Sequence, residues 1–170
     1  MPEGHLTLVL GGARSGKSRH AEALIEACPA PWTYIATAQA FDGEMQARIA
    51  EHRSRRGGNW RAIEAPLALP EALADVPDGQ PVLVDCLTLW LTNVMLAERD
   101  VEAECGRLVA ALKNPRGPWV VVSNEVGLGI VPENPLARRF RDAAGSLNQK
   151  VAAGAGSVVF TVAGLPMKVK

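Results

Sequence analysis

Short apolar runs recur along the chain, separated by longer segments of mixed polarity. Val, Ile and Leu are almost continuous in five of these runs, at residues 6–10, 33–37, 81–85, 119–123 and 157–164. Runs without polar alternation are typical of strands that are covered on both faces. They predict a sheet whose strands are mostly parallel.

The segments between these runs predict helices. The candidates are Ser18 to Cys28, Asp42 to Arg56, Leu69 to Ala74, a stretch from about Leu87 to Leu112, and Leu136 to Ala153. Because strands alternate with helices, we expect an α/β fold in which helices flank the sheet and the crossovers are right-handed. In such folds ligands bind at the carboxyl ends of the strands.

The length and charge of the chain limit what it can be. Its 170 residues suit one domain with a substantial core, so we expect residues 1–170 to form a single domain. Its 18 basic and 18 acidic side chains balance, which gives no general attraction to nucleic acid or to a membrane. Any anion binding must therefore be local.

Cysteine usage and hydropathy indicate the compartment. The cysteines are odd in number and have no paired spacing, which argues against a disulfide framework and a zinc site; they are Cys28, Cys86 and Cys105. The longest apolar stretch is interrupted by Asp85 and Asn93, and the N-terminal residues lack the pattern of an export signal. We expect a cytoplasmic protein without a membrane span.

The segment "LTLVLGGARSGKSRHAEALI" has the spacing of a phosphate-binding loop, with Gly11, Gly16, Lys17 and Ser18 at the diagnostic positions. An apolar strand precedes it and a helix follows, which makes a chance glycine-rich turn the weaker alternative. Glycines let backbone N–H groups approach phosphate oxygens, and the helix directs its positive end at the same anion. We expect Lys17 to reach the β- and γ-phosphates of a nucleoside triphosphate and Ser18 to ligate Mg²⁺.

Two carboxylates follow buried strands and are candidates for the rest of the site. Asp85 ends "PVLVD", and Glu125 comes directly after "WVVVSN". Asp85 is favoured as a Mg²⁺ ligand, with a helix N-cap or turn carboxylate as the alternative. Glu125 is a possible acid or base, and the residues alone do not decide how the two roles divide.

A cluster of positive charge surrounds one histidine, His52, in a chain without net charge. Residues 48–61 contain five arginines and one glutamate, and Asp42 and Gly57 are plausible ends of a helix. The arginines could simply complement the helix dipole. Alternatively, Arg48 and Arg55, one turn away on either side, could depress the pKa of His52, keep the imidazole neutral and nucleophilic, and hold a phosphate beside it.

Over nearly its full length the sequence resembles the bifunctional adenosylcobinamide kinase and adenosylcobinamide-phosphate guanylyltransferase family of cobalamin biosynthesis. The resemblance is carried by four blocks in this order: "GGARSGKSRHAEALI", "YIATAQAFDGEMQARIAEHRSRRGGNWRAIEAP", "LVDCLTLWLTN" and "VSNEVGLGIVPENPLARRFRDAAGSLNQ". It implies phosphorylation of adenosylcobinamide by ATP or GTP, followed by transfer of GMP from GTP to the new phosphate.

The resemblance also implies the site residues and the assembly. The family's guanylylated histidine falls on His52. Its nucleotide-binding positions fall on Gly11, Gly12, Ala13, Arg14, Ser15, Gly16, Lys17, Ser18, Thr37, Ala38, Gln39, Arg53, Ser54, Arg55, Arg56, Glu64 and Asp85. It further implies a fold similar to the core of recombinase-type P-loop proteins, and a homotrimer that encloses the corrinoid between subunits.

The chain departs from the family pattern at two positions. Family members often carry glutamate where this chain has Asp85, a change that keeps the carboxylate. They commonly carry an acidic residue at the position of Gly156, which puts only local contacts in doubt.

Two other functions compete with this interpretation. A P-loop kinase of another small hydroxyl compound would bind phosphate at His52 without a covalent intermediate. A nucleotide-switched binding protein is the second, but the chain lacks the Asn-Lys-x-Asp guanine-reading motif and a basic stripe for DNA.

Overall fold

The structure is a computed structural model, which describes residues 4–39 and 57–170. Within these ranges the strands are β1 (Leu6–Gly11), β2 (Trp32–Ala36), β3 (Trp60–Glu64), β4 (Val82–Asp85), β5 (Trp119–Asn124), β6 (Ser157–Val162) and β7 (Leu165–Lys168). The helices are α1 (Lys17–Glu26), α2 (Leu69–Ala74), α3 (Leu87–Leu96), α4 (Val101–Leu112) and α5 (Pro135–Gly154). None of these helices is long and apolar enough to cross a membrane.

The strands form one seven-stranded sheet in the order β3-β2-β4-β5-β1-β6-β7. Every neighbouring pair is parallel except β6 and β7, which form an antiparallel hairpin at one edge. The prediction of a mostly parallel sheet flanked by helices is therefore confirmed. The first strand, β1, lies inside the sheet between β5 and β6. The loop that follows it therefore emerges near the middle of the row formed by the carboxyl ends of the strands, called below the carboxyl edge of the sheet.

Helices cover both faces of the sheet, and alternate residues of a strand enter different cores. Leu8 of β1 packs with α3, α4 and α5, whereas Val9 packs with Ala21 and Ile25 of α1 on the opposite face. This division follows from the two-residue period of a strand. It explains why the central strands are continuous runs of apolar residues rather than alternating ones.

The helical stretch predicted from about Leu87 to Leu112 is confirmed as helical, but it forms two helices, α3 and α4. The break lies at residues 97–100, where Glu98 has a positive φ of 53°. Asp100 then caps α4: its carboxylate accepts hydrogen bonds from the N–H groups of Glu102 and Ala103 at 3.0 and 3.1 Å. The apolar residues on both sides kept the same helical spacing, which hid the break.

The apolar run at residues 157–164 ends as a strand at Val162 rather than continuing. Ala163 and Gly164 have positive φ angles of 51° and 81°. A two-residue turn with positive φ at both positions is the one that matches the twist of a hairpin. The chain therefore reverses there, and Val162 pairs with Leu165 at the start of β7.

Candidate functional site

The carboxyl ends of the parallel strands place most of the predicted site residues at one edge of the sheet. Gly11 at the end of β1 is in register with Asn124 of β5, and Asp85 at the end of β4 is in register with Val122 of the same strand. On the other side, Ala36 pairs with both Asp85 and Glu64. The loops that carry residues 12–16, 37–39 and Glu125 all leave from this edge.

The phosphate loop runs from Gly11 to the start of α1 at Lys17, and its backbone requires glycine at two points. Gly16 has a φ of 91°, a conformation that L side chains rarely adopt. A Cβ on Gly11 would lie 2.7 Å from the carbonyl oxygen of Thr161 and 2.4 Å from the Ser15 hydroxyl. The loop is therefore tightly folded against β6, and the N-terminus of α1 opens onto the site.

Lys17 lies at the base of this loop and turns its side chain back over it. Its ammonium group donates a hydrogen bond to the carbonyl oxygen of Gly12 at 3.0 Å. Burial lowers the pKa of Lys17, while the nearby Cys86 thiol and Asp85 carboxylate act in the opposite direction. The amine is therefore close enough to Asp85, at the end of β4, for the carboxylate to affect its pKa.

Asp85 occupies the end of β4, which β5 separates from β1. Asp85 is not the N-cap residue of α3, which begins at Leu87 with Cys86 in the N-cap position. The Tyr34 hydroxyl lies 3.5 Å from one Asp85 carboxylate oxygen. Asp85 thus faces the site from the second strand away from the phosphate loop.

Glu125 lies beside the start of the phosphate loop. Its backbone N–H donates to the carbonyl oxygen of Gly11 at 3.1 Å, and its carboxylate accepts a hydrogen bond from the N–H of Gly127 at 2.5 Å. The carboxylate therefore shapes the turn that follows β5. This contact uses one carboxylate oxygen, Oε1.

Thr37 is fully buried, and its polar atoms are used inside the protein. Its hydroxyl donates to the carbonyl oxygen of Cys86 at 2.7 Å and accepts from the N–H of Cys86 at 2.8 Å. The amide of Asn93 donates to the carbonyl oxygens of Thr37 and Pro66, at 2.8 and 2.9 Å. This network fixes the segments that follow β2, β3 and β4 relative to one another.

A second polar group supports the end of β5. The Thr88 hydroxyl accepts from the N–H of Asn124 at 2.7 Å, and the Asn148 amide donates to the carbonyl oxygen of Asn124 at 3.3 Å. Sequence reasoning missed Asn93, Thr88 and Asn148. The available signal was an isolated polar residue in an otherwise apolar helix face, because such a residue needs a buried partner.

The remaining predicted residues lie outside the described ranges. They are the candidate nucleophile and its neighbours on the predicted helix from Asp42 to Arg56: Arg48, His52, Arg53, Ser54, Arg55 and Arg56. Of the other predicted nucleotide-binding segments, residues 11–18, 37–39, Glu64 and Asp85 share the carboxyl edge of the sheet.

A parallel sheet with a phosphate loop after its first strand defines a P-loop protein of the α/β class. The chain is similar in fold to RadB recombinase, with a TM-score of 0.53 at 16% identity over 93% of this chain and 74% of the other. It is also similar to an ATPase of a type III secretion system, with a TM-score of 0.57 at 11% identity over 93% of this chain and 51% of the other. At these identities the likeness concerns the fold alone.

The sequence comparisons identify the family. The profile described as cobinamide kinase / cobinamide phosphate guanyltransferase matches residues 7–169. The chain is 52% identical to the bifunctional adenosylcobalamin biosynthesis protein CobP of Pseudomonas aeruginosa, over 96% of both chains. It is 44% identical to the protein CobU of Salmonella typhimurium, over 97% of this chain and 99% of the relative. The chain belongs to the cobinamide kinase / cobinamide phosphate guanyltransferase family, whose members are bifunctional enzymes of cobalamin biosynthesis.

Proposed function

We propose that this chain carries out both reactions of its family at the carboxyl edge of the sheet. The first is phosphorylation of the adenosylcobinamide hydroxyl by ATP or GTP, and the second is transfer of GMP from GTP to adenosylcobinamide phosphate. The observation that carries the proposal is the match over residues 7–169 combined with a phosphate loop, Lys17 and Asp85 at one sheet edge.

In the kinase step, the backbone of residues 11–16 and the N-terminus of α1 hold the triphosphate. Lys17 stabilises the charge on its β- and γ-phosphates. The attacking hydroxyl oxygen forms a bond to the γ-phosphorus, and the bond to the β,γ-bridging oxygen breaks. Glu125, beside the loop, is the candidate to accept the hydroxyl proton.

Mg²⁺ is the metal that this donor set fits. Within residues 4–39 and 57–170, no group of three or more His, Cys, Asp or Glu side chains could hold a metal ion by itself. Mg²⁺ in kinase sites is held by one or two protein oxygens and by the phosphates of the nucleotide. Ser18 and Asp85 would supply those oxygens, and the ion would neutralise charge on the transferred phosphates.

In the guanylyltransferase step, His52 is the proposed nucleophile. An imidazole nitrogen forms a bond to the α-phosphorus of GTP, the bond to the α,β-bridging oxygen breaks, and pyrophosphate leaves. A phosphate oxygen of adenosylcobinamide phosphate then attacks the same phosphorus and releases His52. The surrounding arginines, Arg53, Arg55 and Arg56 among them, would hold the phosphates and keep the imidazole unprotonated.

Labelling tests this covalent step. Incubation with GTP labelled at the α-phosphate and Mg²⁺ should leave an acid-labile, alkali-stable label on the wild-type chain after denaturing electrophoresis. His52→Ala should remain unlabelled, yet it should still transfer the γ-phosphate to adenosylcobinamide. Equal labelling of His52→Ala, or no label on the wild type, would exclude the histidine intermediate and favour a kinase without one.

We also propose that the chain acts as a homotrimer in the cytoplasm. Its three cysteines are free thiols, which suits a reducing compartment. The segment after Glu125 exposes Leu128, Ile130 and Val131 by 83%, 96% and 61%, a concentration of apolar surface that suits contact with a second copy. A cleft between copies would help to enclose a bulky corrinoid.

Sedimentation of a charged variant tests the assembly. The wild-type chain should sediment as a trimer, and Ile130→Asp should sediment as a smaller species. Leu96→Asp is the matched control, because Leu96 is also an exposed apolar residue, at 59%, but lies at the end of α3. A wild-type monomer would overturn the proposal.

A further inference from the structure

The turn between β6 and β7 lies directly against the phosphate loop. The N–H of Gly164 donates a hydrogen bond to the carbonyl oxygen of Ser15 at 2.8 Å. A Cβ on Gly16 would lie 3.0 Å from the Cα of Gly164 and 3.9 Å from a methyl carbon of Thr161. The turn therefore approaches the loop so closely that a side chain at Gly16 would be crowded by the Gly164 backbone.

This contact determines how one peptide of the loop is oriented. The carbonyl of Ser15 and the N–H of Gly16 belong to the same planar peptide and point in opposite directions. Holding the carbonyl on Gly164 therefore directs the N–H of Gly16 away from the hairpin. Backbone N–H groups are the donors by which such a loop binds phosphate.

We propose that Gly164 is a positioning residue for nucleotide binding: the β6–β7 turn sets the geometry of the phosphate loop through Ser15 and Gly16. The inference rests on the proposed binding of a triphosphate by this loop. It adds a residue that lies far from the loop in sequence and does not need to contact the nucleotide itself.

The chain offers a matched control in Gly79. Its φ is 78° against 81° for Gly164, and neither glycine has any atom within 4 Å of an added Cβ. The N–H of Gly79 donates to the carbonyl oxygen of Arg116 at 2.7 Å, a contact between two other loops. Gly79→Ala and Gly164→Ala therefore impose the same backbone strain, but only one does so beside the phosphate loop.

The test measures binding of a non-hydrolysable GTP analogue by full-length variants, with urea unfolding in parallel. The two alanine variants should lose similar stability, and Gly164→Ala should bind the analogue roughly tenfold more weakly than Gly79→Ala does. Gly164→Asn should recover most of the affinity, because Asn tolerates positive φ better than Ala does. Equal affinity of the two alanine variants would overturn the inference.

A measurement on the wild type covers the case in which Gly164→Ala does not fold. If an ordered β6–β7 turn favours nucleotide binding, then nucleotide binding must favour the ordered turn to the same extent. The analogue should therefore slow hydrogen exchange at the Gly164 amide and leave the exchange rate of the Gly79 amide unchanged. No change at Gly164 in the bound protein would overturn the inference. Lys17→Ala distinguishes failure of this inference from failure of the proposed triphosphate site. If Lys17→Ala binds the analogue normally, the assignment of the phosphate loop is wrong. If Lys17→Ala binds weakly and Gly164→Ala binds normally, only the role of Gly164 is wrong.

Discussion

The hydroxyl of Thr37 makes two hydrogen bonds to the backbone of Cys86, one to its carbonyl oxygen at 2.7 Å and one from its N–H at 2.8 Å. Thr37 follows β2, and Cys86 follows the neighbouring strand β4. The resemblance implied that Thr37 contacts the nucleotide, and that role stays a prediction. Its side chain is committed to holding the ends of the two strands together.

Thr37→Val should destabilise the protein by about 1–3 kcal/mol, because it leaves the buried N–H of Cys86 without a partner. Binding of the nucleotide should weaken as well, since Cys86 directly follows Asp85 and would no longer be held by the Thr37 hydroxyl. Thr161→Val is the control: Thr161 is 1% exposed, and among the described residues its hydroxyl has no hydrogen-bond partner. Urea unfolding should show a larger loss of stability for Thr37→Val than for Thr161→Val. Equal losses would mean that replacing a hydroxyl by a methyl group, and not the loss of the hydrogen bonds, causes the effect.

The central strands could be predicted from the sequence because both of their faces are buried, and the two missed strands show the limit of that signal. Within β3, Arg61 and Ala62 are exposed, and the strand lies at the edge of the sheet. Every residue of β7 is exposed, and its pairing depends on the turn at Ala163. Neither strand has the continuous apolar run that identifies a covered strand.

The site was predictable where spacing encodes the chemistry and unpredictable where contacts are distant in the chain. Gly16, Lys17 and Ser18 form a local pattern that folds as expected. The support for that loop from Gly164 joins residues almost the whole chain apart, and no periodicity encodes it. The same holds for Asn93, whose polar side chain only interrupted an apolar stretch until Thr37 and Pro66 were seen beside it.

Lys17→Ala should lower kcat/KM for the triphosphate in both reactions by roughly 100-fold, because it removes a donor aimed at the transferred charge. The control is Lys113→Ala, at an exposed lysine that caps α4. In the wild type, burial lowers the pKa of Lys17 from 10.5, so alkaline loss of kcat/KM should begin below that pH. Unchanged steady-state kinetics in Lys17→Ala would contradict the assignment of the phosphate loop.

The buried thiol of Cys86 should make stability depend on pH in the alkaline range. Burial, with a smaller contribution from Asp85, raises the pKa of Cys86 from 9.0 to about 11. Between these values the thiol ionises in the unfolded chain while it stays protonated in the folded one. Its contribution to the free energy of unfolding is therefore full below pH 9 and is lost as the pH rises toward 11. The loss should reach about 2 kcal/mol at pH 11.

Urea unfolding of the wild type and of Cys86→Ala from pH 8 to 11 measures this contribution. Substitution by Ala changes packing equally at every pH. The ionisation of the thiol is therefore measured by how the difference in unfolding free energy between the two proteins changes with pH. The two stability curves should converge as the pH rises. Curves that stay parallel would show that the thiol ionises equally in the folded and unfolded chains.

The resemblance implies an acidic residue at the position of Gly156, where the ring of His5 limits the room for a side chain. A Cβ on Gly156 would lie 2.6 Å from two atoms of the His5 ring, closer than real Cβ contacts occur. We expect Gly156→Ala to cost about 1–3 kcal/mol of unfolding free energy, the usual result of overpacking. Gly145→Ala should instead be neutral or stabilising by up to about 1 kcal/mol, since Gly145 lies inside α5 with no atom within 4 Å of an added Cβ.

The His5→Ala background decides whether the ring is the cause. If the collision with His5 accounts for the penalty, Gly156→Ala should cost little once the ring is gone, and the double-mutant cycle should show a coupling of about 1 kcal/mol or more. The same background should then accept Gly156→Asp, which introduces the kind of residue that the resemblance implies at this position. Additive losses in the cycle would place the constraint on the backbone of Gly156, whose N–H donates to the carbonyl oxygen of Leu6 at 2.9 Å, and not on the ring.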